Sequence, residues 1–223
     1  MTIFRHETSY RSPALMQKLQ SYRILVCGAG ALGANIAENL ARQGFRSIAV
    51  IDRDRVEDQN RSTQPYGKSD VGLQKVKALY SRLYREVGIQ IDTVAKEVTQ
   101  QNAKNLLQGY QLIVDTFDNT ESRQAVKDTC LSLGIPCLHV GMASDYSEII
   151  WNEAYKVPSQ THDDLCDYPL ARNLIVVTTG IASEVMIQSI AFGIKAQKAY
   201  SVTLKDLQIS SWVIDEVADF STF

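Results

Sequence analysis

The sequence predicts an α/β fold: an open, doubly wound, mostly parallel sheet that ends in antiparallel C-terminal strands. Three observations predict it. The run Gly28-Ala-Gly30-Ala-Leu-Gly33 stands between a short apolar stretch and an amphipathic one. Strand-like and helix-like patterns then alternate to about residue 140, as parallel strands joined by helical crossovers require. From about Tyr146 the pattern changes to an added strand, a polar loop, a long apolar helix and a final strand pair.

The elements follow in order. In the first 22 residues Leu15, Met16 and Leu19 sit at helical spacing, which reads either as a short leading helix or as a loosely docked arm. Residues 23–27 are a short apolar run ending in glycine, a buried strand. Residues 34–43 form a helix with Ile36, Ala37 and Leu40 on one face, and Gly44 suits the position past its end. Residues 47–51 are the next strand, closed by Asp52. Residues 71–85 carry Val76, Leu79, Tyr80 and Leu83 in helical register. A strand over 89–94, a short helix over 103–107 and a buried strand over 112–115 come next. A helix over 122–133 turns Ala125, Val126 and Cys130 inward, Gly134-Ile-Pro136 breaks it, and 137–140 is another strand. Residues 148–151 read as an added strand and 156–170, with Pro158 and Pro169, as a crossover loop. Residues 178–195 are apolar nearly all round, so that helix belongs in a core or a subunit interface. Segments 200–204 and 207–214 fit a closing strand pair.

Composition bounds the rest. A chain of 223 residues with 45% apolar content can bury about 70–75% of the surface it exposes unfolded. One domain over 1–223 is expected, with an arm over 1–22. The 23 Lys and Arg nearly balance the 25 Asp and Glu, so there is no basic footprint and nucleic acid is not an expected partner. No run of 18 uncharged apolar residues predicts a membrane span. Arg5, Glu7, Arg11 and Lys18 stand where a signal peptide would be apolar, which predicts a cytoplasmic protein. Cys27, Cys130, Cys137 and Cys166 form no C-x-x-C pair, so neither a disulfide framework nor a zinc ribbon is expected. The first three read as small core residues. His6, His139 and His162 are scattered and suggest no ligand cluster or triad, although His162 lies near Cys166.

Gly28, Gly30 and Gly33 form G-x-G-x-x-G between strand and helix. The first permits the tight turn, the second lets backbone approach a phosphate or ribose, and the third lets the helix pack on the strand. Asp52 ends the next strand, where its carboxylate can accept from a ribose hydroxyl pair. The pattern points to a nucleotide and leaves NAD, FAD and ATP open.

The following segments narrow the choice. They read Asp52-Arg-Asp54-Arg-Val56, then Asn60-Arg61-Ser-Thr-Gln64, then Gly72-Leu-Gln-Lys75, then Asp115-Thr-Phe-Asp118-Asn119-Thr-Glu-Ser-Arg123. In this order and spacing the chain resembles the ThiF/MoeB family of ubiquitin-activating-enzyme-like adenylyltransferases, well over 22–142 and moderately over 165–192. The resemblance implies a Rossmann-like fold and Mg²⁺–ATP chemistry on the C-terminal glycine carboxylate of a small ubiquitin-like or sulfur-carrier protein. Carried over residue by residue, it gives Lys75 the phosphates, Asp118 the Mg²⁺ and Asp52 the ribose. Asp54, Asn60, Gln64 and Asn119 belong to the same pocket. A homodimer is implied, with an arginine of the N-terminal arm, Arg5 or Arg11, reaching the partner's nucleotide. Cys166 stands where thiol-transferring members carry a reactive cysteine, although Asp163, Asp164 and Asp167 would disfavour its thiolate. The zinc-binding C-x-x-C pairs of many members are missing, so no zinc is expected.

One departure matters. The family places Arg-Gln eleven and twelve residues after the first aspartate, and here those positions are Thr63 and Gln64. Either Arg61 serves the phosphates by another backbone path, or that cation is absent and the site is weak. Blander readings also stand: Asp118 as a helix cap, Lys75 and Arg123 as solvated surface residues, and Cys166 as an inert loop thiol. At the level of function the alternatives are a non-catalytic half of a heterodimeric activating enzyme and an NAD-dependent oxidoreductase.

Overall fold

The computed structural model describes residues 3–158, 169–193 and 198–213. Its sheet is built on short runs of three or four apolar residues: β1 (Ile24–Cys27), β2 (Ile48–Ile51) and β4 (Leu112–Asp115, whose last residue is the aspartate), each buried throughout. Strands covered on both faces need such continuous runs, because neither face meets water. Side chains alternate across them. Ile24, Val26, Ile48 and Val50 point into one core layer, Leu25, Cys27, Ala49 and Ile51 into the other. The first layer is completed by α2 (Pro13–Ser21), α3 (Ala31–Arg42), α4 (Lys75–Val87) and α7 (Arg172–Phe192). The second is completed by α5 (Ala103–Leu107) and α6 (Thr120–Leu133).

The eight strands run in the order β3-β2-β1-β4-β5-β6-β7-β8. Here β3 is Asp92–Val94, β5 Cys137–Ala143, β6 Tyr146–Trp151, β7 Lys198–Thr203 and β8 Gln208–Val213. Pairing is parallel from β3 to β5 and antiparallel from β5 to β8. The expected doubly wound sheet with antiparallel C-terminal strands is therefore present.

Several boundaries differ from the sequence expectation, each for a local reason. The leading segment forms two helices, α1 (Arg5–Arg11) and α2, because Pro13 opens a new helix and Ser12 turns the chain at φ +79°. The Ser12 hydroxyl caps α2 by accepting the Leu15 N–H. Helix α3 starts at Ala31 rather than 34, since Gly30 itself is its N-cap. Helix α4 starts at Lys75 rather than 71, because Gly72 at φ +88° turns the chain after a short 3₁₀ turn over Lys68–Asp70. Helix α7 begins at Arg172 rather than 178. It has the length and apolarity of a membrane span, and buries Leu174, Ile175, Ala182, Met186 and Ile187.

β1 lies between β2 and β4, so the crossovers on its two sides run in opposite directions along the sheet. At such a switch point the carboxyl ends of the strands open a crevice that holds ligands in sheets of this kind.

Candidate active site

The crevice is a cleft of about 520 Å³, counting its open mouth. Seven of the residues singled out from sequence line it: Gly28, Gly30, Asp52, Asp54, Lys75, Asp118 and Asn119. They come from four stretches that are far apart in the chain, brought together by β1, β2, β4 and the start of α4.

The glycine loop sits directly on β4. Gly28 takes φ +98°, and a side-chain carbon there would lie 2.7 Å from the Thr116 hydroxyl. A carbon on Gly33 would lie 2.1 Å from the Gly28 carbonyl oxygen, which is impossible. Gly30 differs, since a carbon there would meet no protein atom within 4 Å. Its backbone borders open cleft, as a phosphate or ribose cradle requires.

Asp52 is buried, and both its oxygens are engaged: Oδ2 accepts the Ala29 N–H at 2.7 Å, Oδ1 the Asp54 N–H at 2.7 Å. Each oxygen keeps a second lone pair for a ligand hydroxyl. Burial pushes the Asp52 carboxyl above the ordinary value, while the nearby Lys75 charge and the two backbone N–H groups pull it back. Lys75 is buried rather than solvated, and its Nζ donates to Asp54 Oδ2 at 3.1 Å. Its N–H bonds the Asp54 carbonyl at 2.9 Å, so the D-x-D segment fixes the start of α4.

At the end of β4 the helix cap is Asn119, whose Oδ1 accepts the Ser122 N–H at 2.8 Å. The capping role considered for Asp118 thus falls to its neighbour, and Asp118 faces the cleft. The turn carrying it is held from behind. Asp115 Oδ1 accepts the Phe117 N–H, and the Arg123 guanidinium donates to the Phe117 carbonyl and to the Tyr155 hydroxyl. Asp115 Oδ2 meets His139 Nδ1 at 2.8 Å, and His139 Nε2 meets Asn152 Oδ1 at 2.6 Å. Tyr155 stacks on the His139 ring at 3.8 Å. Arg123 is therefore no surface residue. Only its place in the D-x-x-D-N-x-x-x-R pattern signalled it. Nothing in the sequence pointed to Asn152 or Tyr155, which lie beyond the antiparallel return of β6. Arg53, Lys96, Glu97 and Val98 also line the cleft unannounced, with Arg53 paired to Glu97 at 2.6 Å.

Among the described residues, four of the expected site residues do not line the cleft, and the first is Gly33, which packs against the Gly28 carbonyl instead. Asn60 caps its own 3₁₀ turn, accepting the Glu57 N–H at 2.8 Å. Arg61 is paired with Asp58 at 2.5 Å. Gln64 is buried, and its Oε1 has no hydrogen-bond partner among the described residues. Of the two arm arginines, Arg11 is committed within the chain to Glu7 and, through two nitrogens, to Glu184, whereas Arg5 is exposed. Cys166 and His162 lie outside the described residues. Cys27, Cys130 and Cys137 are buried free thiols, as core residues should be.

The fold is shared with known proteins. Among solved structures, E. coli MccB with MccA-N7isoASN superposes with a TM-score of 0.81 at 19% identity, covering 94% of this chain and 69% of that one. It shares the fold. The sulfur carrier protein ThiS adenylyltransferase of Bacillus subtilis is 36% identical over 138 residues, 60% of this chain and 41% of the relative. The adenylyltransferase and sulfurtransferase MOCS3 of Anopheles gambiae is 38% identical over 121 residues, 53% of this chain and 27% of the relative. The chain thus spans less than half the length of these curated relatives. The ThiF family model matches residues 6–207, nearly the whole chain, and on that match the chain belongs to the ThiF family.

Proposed function

We propose that this chain uses ATP to adenylate the C-terminal carboxylate of a small ubiquitin-like or sulfur-carrier protein. The observation that carries the reading is that Asp52, Lys75 and Asp118, from three separate motifs, line one cleft with the glycine loop. Asp52 accepts the ribose hydroxyls. Gly30 leaves room for phosphate beside the backbone. Lys75, steered by Asp54, neutralises phosphate charge as the substrate carboxylate approaches.

The carboxylate oxygen attacks the α-phosphorus, and the bond to the pyrophosphate oxygen breaks, leaving an acyl adenylate. No proton must move, so the protein contributes positioning and electrostatics. Among the described residues no three His, Cys, Asp or Glu side chains form a metal cage. A single carboxylate such as Asp118 suits Mg²⁺, which is ordinarily held by one or two carboxylates together with substrate phosphates. When bound, the ion would neutralise the phosphates and stabilise the leaving pyrophosphate. Cys166 is the nucleophile we propose for any later transfer, its thiolate displacing AMP from the acyl carbon to give a thioester. A homodimer is part of this reading. Val176, Val177 and Gly180 are exposed along α7, an apolar stripe of the kind a second copy covers.

The test is ATP–pyrophosphate exchange with candidate carriers. Exchange should require a carrier and fall about 100-fold or more in Asp118→Ala and in Lys75→Ala. Exchange that survives both changes overturns the assignment. Intact-mass analysis of the carrier should show an adenylate, and an enzyme adduct, if formed, should vanish in Cys166→Ala.

A further inference from the structure

The cleft must hold several phosphate charges, yet the segment expected to bring an arginine to it does not. Arg61 is neutralised by Asp58, and Thr63 stands at the place where the sequence pattern calls for an arginine. At that same residue another cation arrives from a distant part of the chain. Arg172, the first residue of α7, donates through one terminal nitrogen to the Thr63 carbonyl at 2.9 Å and to Asn35 Oδ1 at 2.9 Å. The Asn35 amide in turn bonds the carbonyls of Ala31 at 2.6 Å and Thr63 at 2.9 Å. Asn35 is one turn, roughly 6 Å, along α3 from Ala31. Ala31 follows Gly30, which lines the cleft.

Two neutral acceptors orient this guanidinium without cancelling its charge. Among the described residues no carboxylate pairs with Arg172, whereas Arg11, Arg42, Arg53, Arg61 and Arg82 all have acidic partners. The side chain is exposed, and among the described residues its second terminal nitrogen and Nε have no hydrogen-bond partner, so both can donate to a ligand. A guanidinium fork of this kind matches phosphate oxygens.

We propose that Arg172 holds the terminal phosphates of the bound nucleotide, replacing in space the arginine that Thr63 does not provide. The inference rests on the adenylation reading. Calorimetric binding of Mg²⁺–ATP, AMP and inorganic pyrophosphate tests it. Arg172→Gln retains a donor for Thr63 and Asn35 but loses the charge. It should weaken ATP and pyrophosphate about tenfold and leave AMP within about twofold. Adding Thr63→Arg to that variant should recover most of the lost ATP affinity. Equal weakening of ATP and AMP would reduce Arg172 to a brace, and unchanged affinity for all three would also overturn the proposal. A wild-type chain that binds no adenine nucleotide overturns the adenylation reading instead. Pyrophosphate binding lost in Arg172→Gln would then still support the anion site, and pyrophosphate binding that persists, or is absent from the wild type, would overturn it.

Discussion

Gly30 and Gly33 are three residues apart in one motif and act in opposite ways. A methyl group on Gly33 would have to share space with the Gly28 carbonyl, so the loop itself must move. Gly33→Ala should cost about 1–3 kcal/mol in denaturant unfolding and also lose nucleotide binding. A methyl group on Gly30 meets nothing, so Gly30→Ala should stay within about 0.5 kcal/mol of wild type while weakening nucleotide binding by filling the cleft. Unfolding midpoints and ATP titrations of both variants check this, and a neutral Gly33→Ala would contradict it. At this scale the sequence was informative wherever spacing fixed a backbone role. Gly28, Gly30, Asp52, Lys75 and Asp118 all reach the cleft, while Gly33 packs the helix against the loop behind it. Asn60, Arg61 and Gln64 do not, because that segment curls into a 3₁₀ turn whose own cap consumes Asn60 and whose acidic start consumes Arg61. Spacing alone does not reveal such local competition for hydrogen bonds.

At the scale of elements, the turn between β4 and α6 decides where Asp118 points. Its carbonyl at Phe117 is bound by a half-buried Arg123, and its N–H there by a buried Asp115. Removing the guanidinium leaves that carbonyl and the Tyr155 hydroxyl without their donor. Arg123→Ala should therefore cost about 1–3 kcal/mol of stability, measured by chemical denaturation. Exchange activity should fall by more than the small unfolded fraction explains. A variant with wild-type stability would show that the turn holds itself. Helix starts were the least legible feature. The hydrophobic register of α4 extends back to Val71, but Gly72 in the left-handed region ends it there, and Lys75 gains its place as the first helical residue. Helix α7 starts earlier than its apolar run because its opening turn mixes exposed Arg172 and Asn173 with Leu174 and Ile175, which the fold buries.

At the scale of the whole molecule, the sheet order puts Gly28, Gly30, Asp52, Lys75 and Asp118 at one switch point and leaves α7 on the same layer as α3. The inward side of α7 is core. Its outward side carries Val176 and Val177, 53% and 37% exposed, which is why a second copy is proposed there. Light scattering at micromolar concentration should give a dimer, and Val176→Glu with Val177→Glu should shift it toward monomer by burying like charges at the interface. A wild-type monomer under those conditions would remove the proposal.

The sequence by itself determined the fold class, the glycine loop and the residues at strand ends. These follow from hydrophobic period and from backbone demands that few residue types can meet, both of which are local. Tertiary structure alone decided which cations remain available. Arg11 is drawn to Glu184, Arg123 is sunk behind the cleft, and Arg172 is brought 109 residues along the chain to Thr63. The reason is physical: a charged side chain acquires its role from the partner that neutralises it, and that partner is supplied by packing.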